Sequence, residues 1–558
     1  MIAVDEVKAP SPRGREEGRE GGAPALRHLR LDRRQAWTLL TLTAIAFVLR
    51  FFSPLMPDLL AHPLDSWPVS DCVHSTPIDI EGHPGTLCGL AYPFQKGYGP
   101  AGQPLQPPEG EIFDEIYFAV FAHDDLKGIQ YFDPEPPLAK LIIGSGEWLT
   151  GWFRATFLGA SGDYADLGFN TFGWRIMSCI FGTLCVPLMY LLAWRLWPDH
   201  LFALAAGVLT CFDGLFFIQS RIGMIDTFAI FFILLAYLVF LLHWQSRTAR
   251  ESLLTLAATG IVLGLAIATK WIALAALASM LFLLLMRVVV RSLDVQFEGP
   301  SGIWSWGRSV FSGSIIPGGA PGYAYANLLA VSFFLTPAVI YVMSWFPFFA
   351  RGQFHTLGDL WSYQVQAYEY HAHLTATHPY GSPWYSWPFL FRPVAYYYET
   401  GGLGSDQFTG RPLVAGMADL GNPWIWWTSI PALFSMPYFL LRYRSFPAAV
   451  ILLGFITQYL PWSRITRVLF LYHMFGGLIF MILALAFVLA WMARSEVAVA
   501  GPSSIFSLRY LAYAHLAVAV LLFFYFYPVW TGLPVSDMAY LNYPPGVWPG
   551  KMWFPSWI

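Results

Sequence analysis

Apolar runs of about 18–25 residues recur along this 558-residue chain, each long enough to cross a hydrocarbon core roughly 30 Å thick. Backbone polar groups find no water in lipid, so such runs are restricted to helices or a closed barrel. The runs here are continuous rather than alternating, which points away from a barrel. With 56% hydrophobic and 12% charged residues, the chain is also too apolar for a soluble globular protein. Twenty-four Trp and 28 Tyr supply many interfacial anchors. The net charge of −3, without an extended basic surface, gives no support for a nucleic-acid partner. The expected fold is an all-α polytopic membrane protein of about 11 transmembrane helices.

Residues 1–34, rich in Gly, Pro, Arg and Glu, are expected to be a disordered cytoplasmic N-terminus. They are too long and too acidic for the leader of a cleaved signal peptide. Residues 35–558 form the membrane domain. Its spans are expected near 35–53, 172–194, 200–218, 223–244, 252–269, 271–290, 328–346, 423–441, 446–461, 467–492 and 508–528. Arg27, Arg30, Arg33 and Arg34 place the start inside by the positive-inside rule. Eleven crossings then bring Arg195, Arg247, Arg250, Arg287, Arg291, Arg442, Arg444 and Arg494 to the same side. Two large loops, 54–171 and 347–422, fall outside. The first is expected to be irregular to about 112, then to form helices lying in the interface.

Several charges break this pattern. Arg175, Arg221, Lys270, Arg464 and Arg467 all fall at outer ends of spans, with Asp213 and Asp226 on either side of Arg221. Ionisable groups at membrane depth are costly and tend to face a bundle interior or an aqueous cavity. Such a group of cations fits an anionic headgroup, because guanidinium donors suit phosphate oxygens. The competing reading is structural pairing, and for Arg221 the partner would be Asp213 or Asp226. Arg175 has no acid in its own segment, which favours function. In the first outer loop, Phe113-Asp114-Glu115-Ile116-Tyr117-Phe118 precedes Tyr131-Phe132-Asp133-Pro134-Glu135-Pro136-Pro137-Leu138-Ala139-Lys140. Adjacent acids point about 100° apart on a helix, so Asp114 and Glu115 should hold separate roles. One can be a general base while the other holds a cation or orients the first. The three prolines stop helix until Leu138 and give a rigid approach that can hold Asp133 or Glu135 in place.

The second outer loop carries His355, His371, His373 and His378, whose spacing matches no zinc pattern, so surface histidines are expected. Trp384, Trp387 and the tyrosines after Arg392 suit either a sugar platform or an interfacial belt. Cys179, Cys185 and Cys211 lie in apolar runs and read as small buried hydrophobes. Cys72 and Cys88 share the first outer loop and can form a disulfide if it faces an oxidising compartment.

The Asp114-Glu115 pair, the Asp133–Lys140 turn, Gly173-Trp174-Arg175, the run from Asp213 to Arg221, Thr269-Lys270-Trp271 and Ser382-Pro-Trp-Tyr-Ser-Trp-Pro388 stand in an order that resembles the protein O-mannosyltransferases. These are integral-membrane glycosyltransferases of the C-type fold. The likeness runs from about Trp37 to Trp557. It implies a polyprenyl-phosphate-mannose donor, Ser/Thr hydroxyls of secreted or membrane proteins as acceptors, and inverting transfer at the outer face. It implies that Asp114 acts on the acceptor hydroxyl, with Glu115 beside it. It also implies that Arg175 holds the donor phosphate; Arg221, Lys270 and Arg464 join it as candidates. Asp133, Glu135, Lys140, Asp226, Trp384, Trp387 and Arg392 are candidates for positioning donor or acceptor. No cofactor and no metal are expected beyond the donor. The location implied is a bacterial cell membrane, with the C-terminus outside and the translocation machinery as a candidate partner. Two departures stand out. Glu135 and Ala139 occupy positions where the family turn usually reads His-Pro-Pro-Leu-Gly-Lys, and the second loop is too short for the β-trefoil of eukaryotic members. The alternative enzyme is a related C-type transferase with a lipid or glycan acceptor. A transporter would call for paired repeats, which the sequence lacks.

Overall fold

Every one of the eleven expected spans contains a helix in the computed structural model, which describes residues 31–51, 75–80, 83–88, 113–296, 303–400, 403–498, 505–541 and 550–558. Eight of these helices are long and apolar enough to cross a membrane, which makes the chain an integral membrane protein. The other three are Arg33–Phe51, the broken pair His200–Cys211 and Gly214–Gln219, and Pro423–Tyr443 with Pro431 and Pro437 inside it. The third expected span, 200–218, is therefore not continuous. The carboxylate of Asp213 accepts from the Phe216 amide at 3.1 Å and starts a new helix, so a cap interrupts the apolar run. The seventh contains a π-helical turn, Val331–Leu335, between Gly322–Ala330 and Thr336–Ser344.

The Leu471–Arg494 segment lies at the centre, 89% buried over its most apolar window, whereas Gly322–Ser344 is 17% buried and sits on the lipid-facing periphery. Glu115–Lys127 packs on Leu138–Leu158, which in turn packs on Thr171–Leu196. Trp148, Trp152, Phe153 and Phe157 leave an apolar face of the Leu138–Leu158 helix exposed. The stretch before Asp114 is not wholly irregular: Ser75–Ile80 and His83–Cys88 pair as an antiparallel hairpin. Cys72 and residues 1–30 lie outside the described residues, so neither the Cys72–Cys88 pairing nor the disordered N-terminus is tested.

The segment 347–422 holds the helix Leu357–His373 and a small sheet. There Ala395–Glu399 and Leu413–Ala418 pair antiparallel, and Leu413–Ala418 pairs with Val535–Ser536 near the C-terminus. Arg392 fixes the tail against this sheet by donating to the Ser556 and Ile558 carbonyls, each at 2.9 Å. Its side chain thus ties the C-terminal tail to the fold.

Candidate active site

Asp114 is placed by strain before it and a helix after it. Phe113 has φ of 57°, a left-handed conformation that costs a non-glycine residue on the order of 1 kcal/mol. Its ring is held stacked on Tyr396 at 4.8 Å and edge-on to Phe470 and Tyr472. Asp114 then caps the Glu115–Lys127 helix with its backbone only; its side chain makes no capping hydrogen bond. Asp163, Asp199 and Asp213 all spend their carboxylates on helix starts. Asp114 does not spend its carboxylate on its helix start. Burial pushes its pKa up to about 6; Lys270 opposes that rise and Asp226 adds to it.

Glu115 faces the other way and is fully buried. Its Oε1 accepts from Arg175 Nε at 2.7 Å and from the Gly223 amide at 2.7 Å, and its Oε2 accepts from Arg175 Nη2 at 2.8 Å. Arg175, with no acid in its own segment, takes its acidic partner from a distant one, and it is 0% exposed. Glu115 likewise serves as an anchor, tying the Asp114 loop to the Thr171–Leu196 helix. Glycine makes this approach possible: a Cβ on Gly168 would lie 1.7 Å from the Glu147 carbonyl oxygen, and one on Gly173 would lie 1.9 Å from that of Gly168. Two turns of chain thus close against the Leu138–Leu158 helix and fix where Arg175 points.

The Asp133–Lys140 turn is knotted from within. Lys140, 1% exposed, pairs with the Asp133 carboxylate and donates to the carbonyls of Glu135 at 2.8 Å and Pro136 at 3.1 Å. Tyr363 of the second outer loop brackets the Asp133 backbone, its hydroxyl accepting from the amide at 2.8 Å and donating to the carbonyl at 3.0 Å. Asp133 and Lys140 are therefore fasteners, and the residue they present is Glu135. Burial pushes the Glu135 carboxyl up, but Lys270, His371, Arg467 and Lys140 outweigh burial and hold it below its usual range.

Lys270 ends the Ala249–Thr269 helix and donates to Asp226 Oδ1 at 2.8 Å. The second oxygen of Asp226 has no hydrogen-bond partner. Asp114, Asp226 and Glu135 therefore surround one lysine, and Arg467 and His371 face Glu135 from elsewhere in the chain. Arg464, by contrast, is exposed on the 3-10 turn Leu460–Arg464. A cleft of about 580 Å³ opens beside Arg467, lined by residues 372–378 and 466–468. Arg221 pairs with neither Asp213 nor Asp226; it is 0% exposed, with its guanidinium 4.7 Å from the Phe217 ring centre. Trp387 is fully buried against His473, donating to Ser382, so it is core and not a platform, while Trp384 is half-buried against Tyr459.

The arrangement invites comparison with known proteins. The family model described as dolichyl-phosphate-mannose-protein mannosyltransferase matches residues 104–349, and that of the C-terminal four-span region of protein O-mannosyltransferase matches residues 356–557. The chain belongs to the protein O-mannosyltransferase family. It is 25% identical to the polyprenol-phosphate-mannose–protein mannosyltransferase of Mycobacterium tuberculosis, over 80% of this chain and 86% of that one. The Mycolicibacterium smegmatis protein of the same name is 24% identical over 94% of both chains. The S. cerevisiae protein O-mannosyltransferase Pmt1–Pmt2 complex bound to the sugar donor superposes with a TM-score of 0.63 at 14% identity, covering 95% of this chain and 93% of that one. The shared fold is the C-type glycosyltransferase fold.

In this protein O-mannosyltransferase, two residues within electrostatic reach of Glu135, His371 and Arg467, are not among the site candidates read from the sequence, although Arg467 belongs to the group of cations at span ends. His371 was grouped with surface histidines, yet it is half-buried and lies within electrostatic reach of Glu135, whereas His355, His373 and His378 are exposed. Arg467 lies only three residues from Arg464, and nothing in the sequence separates them. The 3-10 turn between the Phe446–Tyr459 helix and the Leu471–Met474 turn is what directs one outward and the other to the site.

Proposed function

We propose that this chain transfers mannose from a polyprenyl-phosphate-mannose donor to Ser/Thr hydroxyls of secreted or membrane proteins at the outer membrane face, with inversion. The observation that carries this reading is the uncapped Asp114 carboxylate, raised by burial and set beside cations from distant segments. The names of the mycobacterial relatives supply the donor and acceptor classes. The acceptor oxygen attacks the anomeric carbon and its proton passes to Asp114. The bond from that carbon to the phosphate oxygen breaks, and the electron pair leaves with the phosphate. Lys270 and Arg467 hold the growing negative charge, a role assigned to them in place of Arg175 and Arg464. Glu135 and Asp226 orient the sugar and the lysine. The residues provide base and cations without a metal, so activity should persist in chelator. The donor enters from the outer leaflet, and acceptors arriving from the translocation machinery would meet the site as they emerge. The test is purified enzyme with labelled lipid-phosphate mannose and either a Ser/Thr-rich peptide or a glycolipid. Label should pass to the peptide, and Asp114→Asn should lower turnover by about 10²–10⁴-fold while leaving thermal unfolding unchanged. Label on the glycolipid alone overturns the acceptor assignment, and near-wild-type turnover in Asp114→Asn overturns the base.

A further inference from the structure

Behind the Glu115–Arg175 pair lies a second group of arginines that the transfer scheme does not use. Arg50, at the end of the Arg33–Phe51 helix, and Arg221 are both 0% exposed. Their guanidinium carbons lie 5.8 and 4.7 Å from the Phe217 ring centre. Arg50 donates from Nε to Ser220 Oγ at 2.7 Å and from Nη1 to the Ala46 carbonyl at 3.3 Å, but its Nη2 has no partner. For Arg221, none of Nε, Nη1 and Nη2 has one. Among the described residues, the nearby acids are committed elsewhere. Glu115 is forked to Arg175, Asp226 is paired with Lys270, and Asp213 accepts from the amides of Phe216 and Asn422 and from Trp426 Nε1. Ser178 and Cys179 line the same region of the Thr171–Leu196 helix. The Ser178 hydroxyl is unpartnered, and the Cys179 thiol lies within electrostatic reach of Arg221, Arg50 and Arg175. A guanidinium has five donors, and one enclosed without acceptors carries a desolvation penalty that an aromatic face alone does not offset.

We propose that Arg221 and Arg50 form an enclosed binding site for a small inorganic monoanion of halide size. Both side chains are 0% exposed, which favours a small ion over a headgroup or a carboxylate-bearing metabolite. The anion supplies the acceptor that Arg221 and the Nη2 of Arg50 lack, and it leaves Glu115 undisputed to Arg175. Thermal unfolding of the purified full-length protein tests this without any mannosyl transfer. The comparison is sodium chloride, bromide, phosphate and gluconate at constant ionic strength. Chloride and bromide should raise Tm saturably by about 2 °C or more, with gluconate and phosphate inert. Arg221→Met should remove the halide response. Anomalous scattering from a bromide-grown crystal should place bromide at Arg221, which keeps the test open if the variant does not fold. Equal Tm values in halide and gluconate, a response to phosphate alone, a halide effect that survives Arg221→Met, or bromide found only elsewhere would each overturn the site.

Discussion

Two acid–cation pairs flank Asp114, and they differ in one respect. Glu115–Arg175 is closed, with both side chains 0% exposed and both carboxylate oxygens bonded. Asp226–Lys270 is open at one end, with side chains 10% and 13% exposed and one carboxylate oxygen unpartnered. A fully buried pair is out of reach of solvent, so its contribution is to hold a loop in place. An open pair can exchange a partner during a reaction. Neighbouring residues on one chain thus divide the work: Glu115 fixes the geometry that Asp114 uses.

The largest expected effect tests the closed pair. Arg175→Met leaves a buried carboxylate unpaired, a change that costs about 3–5 kcal/mol, so thermal unfolding should fall steeply or the protein should fail to accumulate. The double variant Glu115→Gln/Arg175→Met should recover much of that loss. If Arg175→Met folds normally and raises only donor KM, Arg175 is a ligand residue after all and the distinction collapses. The open pair should respond in the opposite way. Lys270→Met should lower kcat by about 10²-fold with a small change in Tm. Arg467→Gln should lower kcat/KM for the donor by about 10–100-fold, as for loss of a charged hydrogen bond. Arg464→Gln, three residues away and exposed, should stay within about twofold, as surface changes do. A matching loss in Arg464→Gln would show that both arginines act through general charge and not through position.

Much of this was legible beforehand, and for a physical reason. Apolar run length reports spans directly, so the helices fall where the runs do, and the adjacent Asp114-Glu115 pair, whose members point apart on a helix, is a local pattern. What stayed hidden depends on partners far along the chain. Glu115 and Arg175 are 60 residues apart, and Asp133 and Tyr363 are 230 apart. No local period encodes such meetings, so the partner of Arg175 cannot be seen from its own segment, and the pairing reading weighed for Arg221 finds no acid among the described residues. The break at Asp213 was hidden by a run of apolar residues on both sides. The strands Ala395–Glu399 and Leu413–Ala418 were hidden because their third partner, Val535–Ser536, comes from the far end of the chain.

The finest separation of the two pairs comes from pH. Burial raises the Asp114 pKa to about 6, so below that pH the carboxyl is protonated in the folded enzyme and cannot accept the acceptor proton. With kcat/KM followed from pH 5 to 8, the rate should climb about tenfold per unit below pH 6 and level off above it. Lys270 works against the rise, because a nearby cation favours the charged form of Asp114, while Asp226 works with it. Removing the cation in Lys270→Met should therefore move the acid limb to higher pH, and Asp226→Asn should move it to lower pH. A change at the closed pair that still folds, such as the Glu115→Gln/Arg175→Met double variant, replaces two opposite charges together and should move the limb least. A limb that shifts with the closed pair but not with Lys270 would mean that Asp114 takes its acidity from the scaffold, and the open pair would lose its claim on the chemistry.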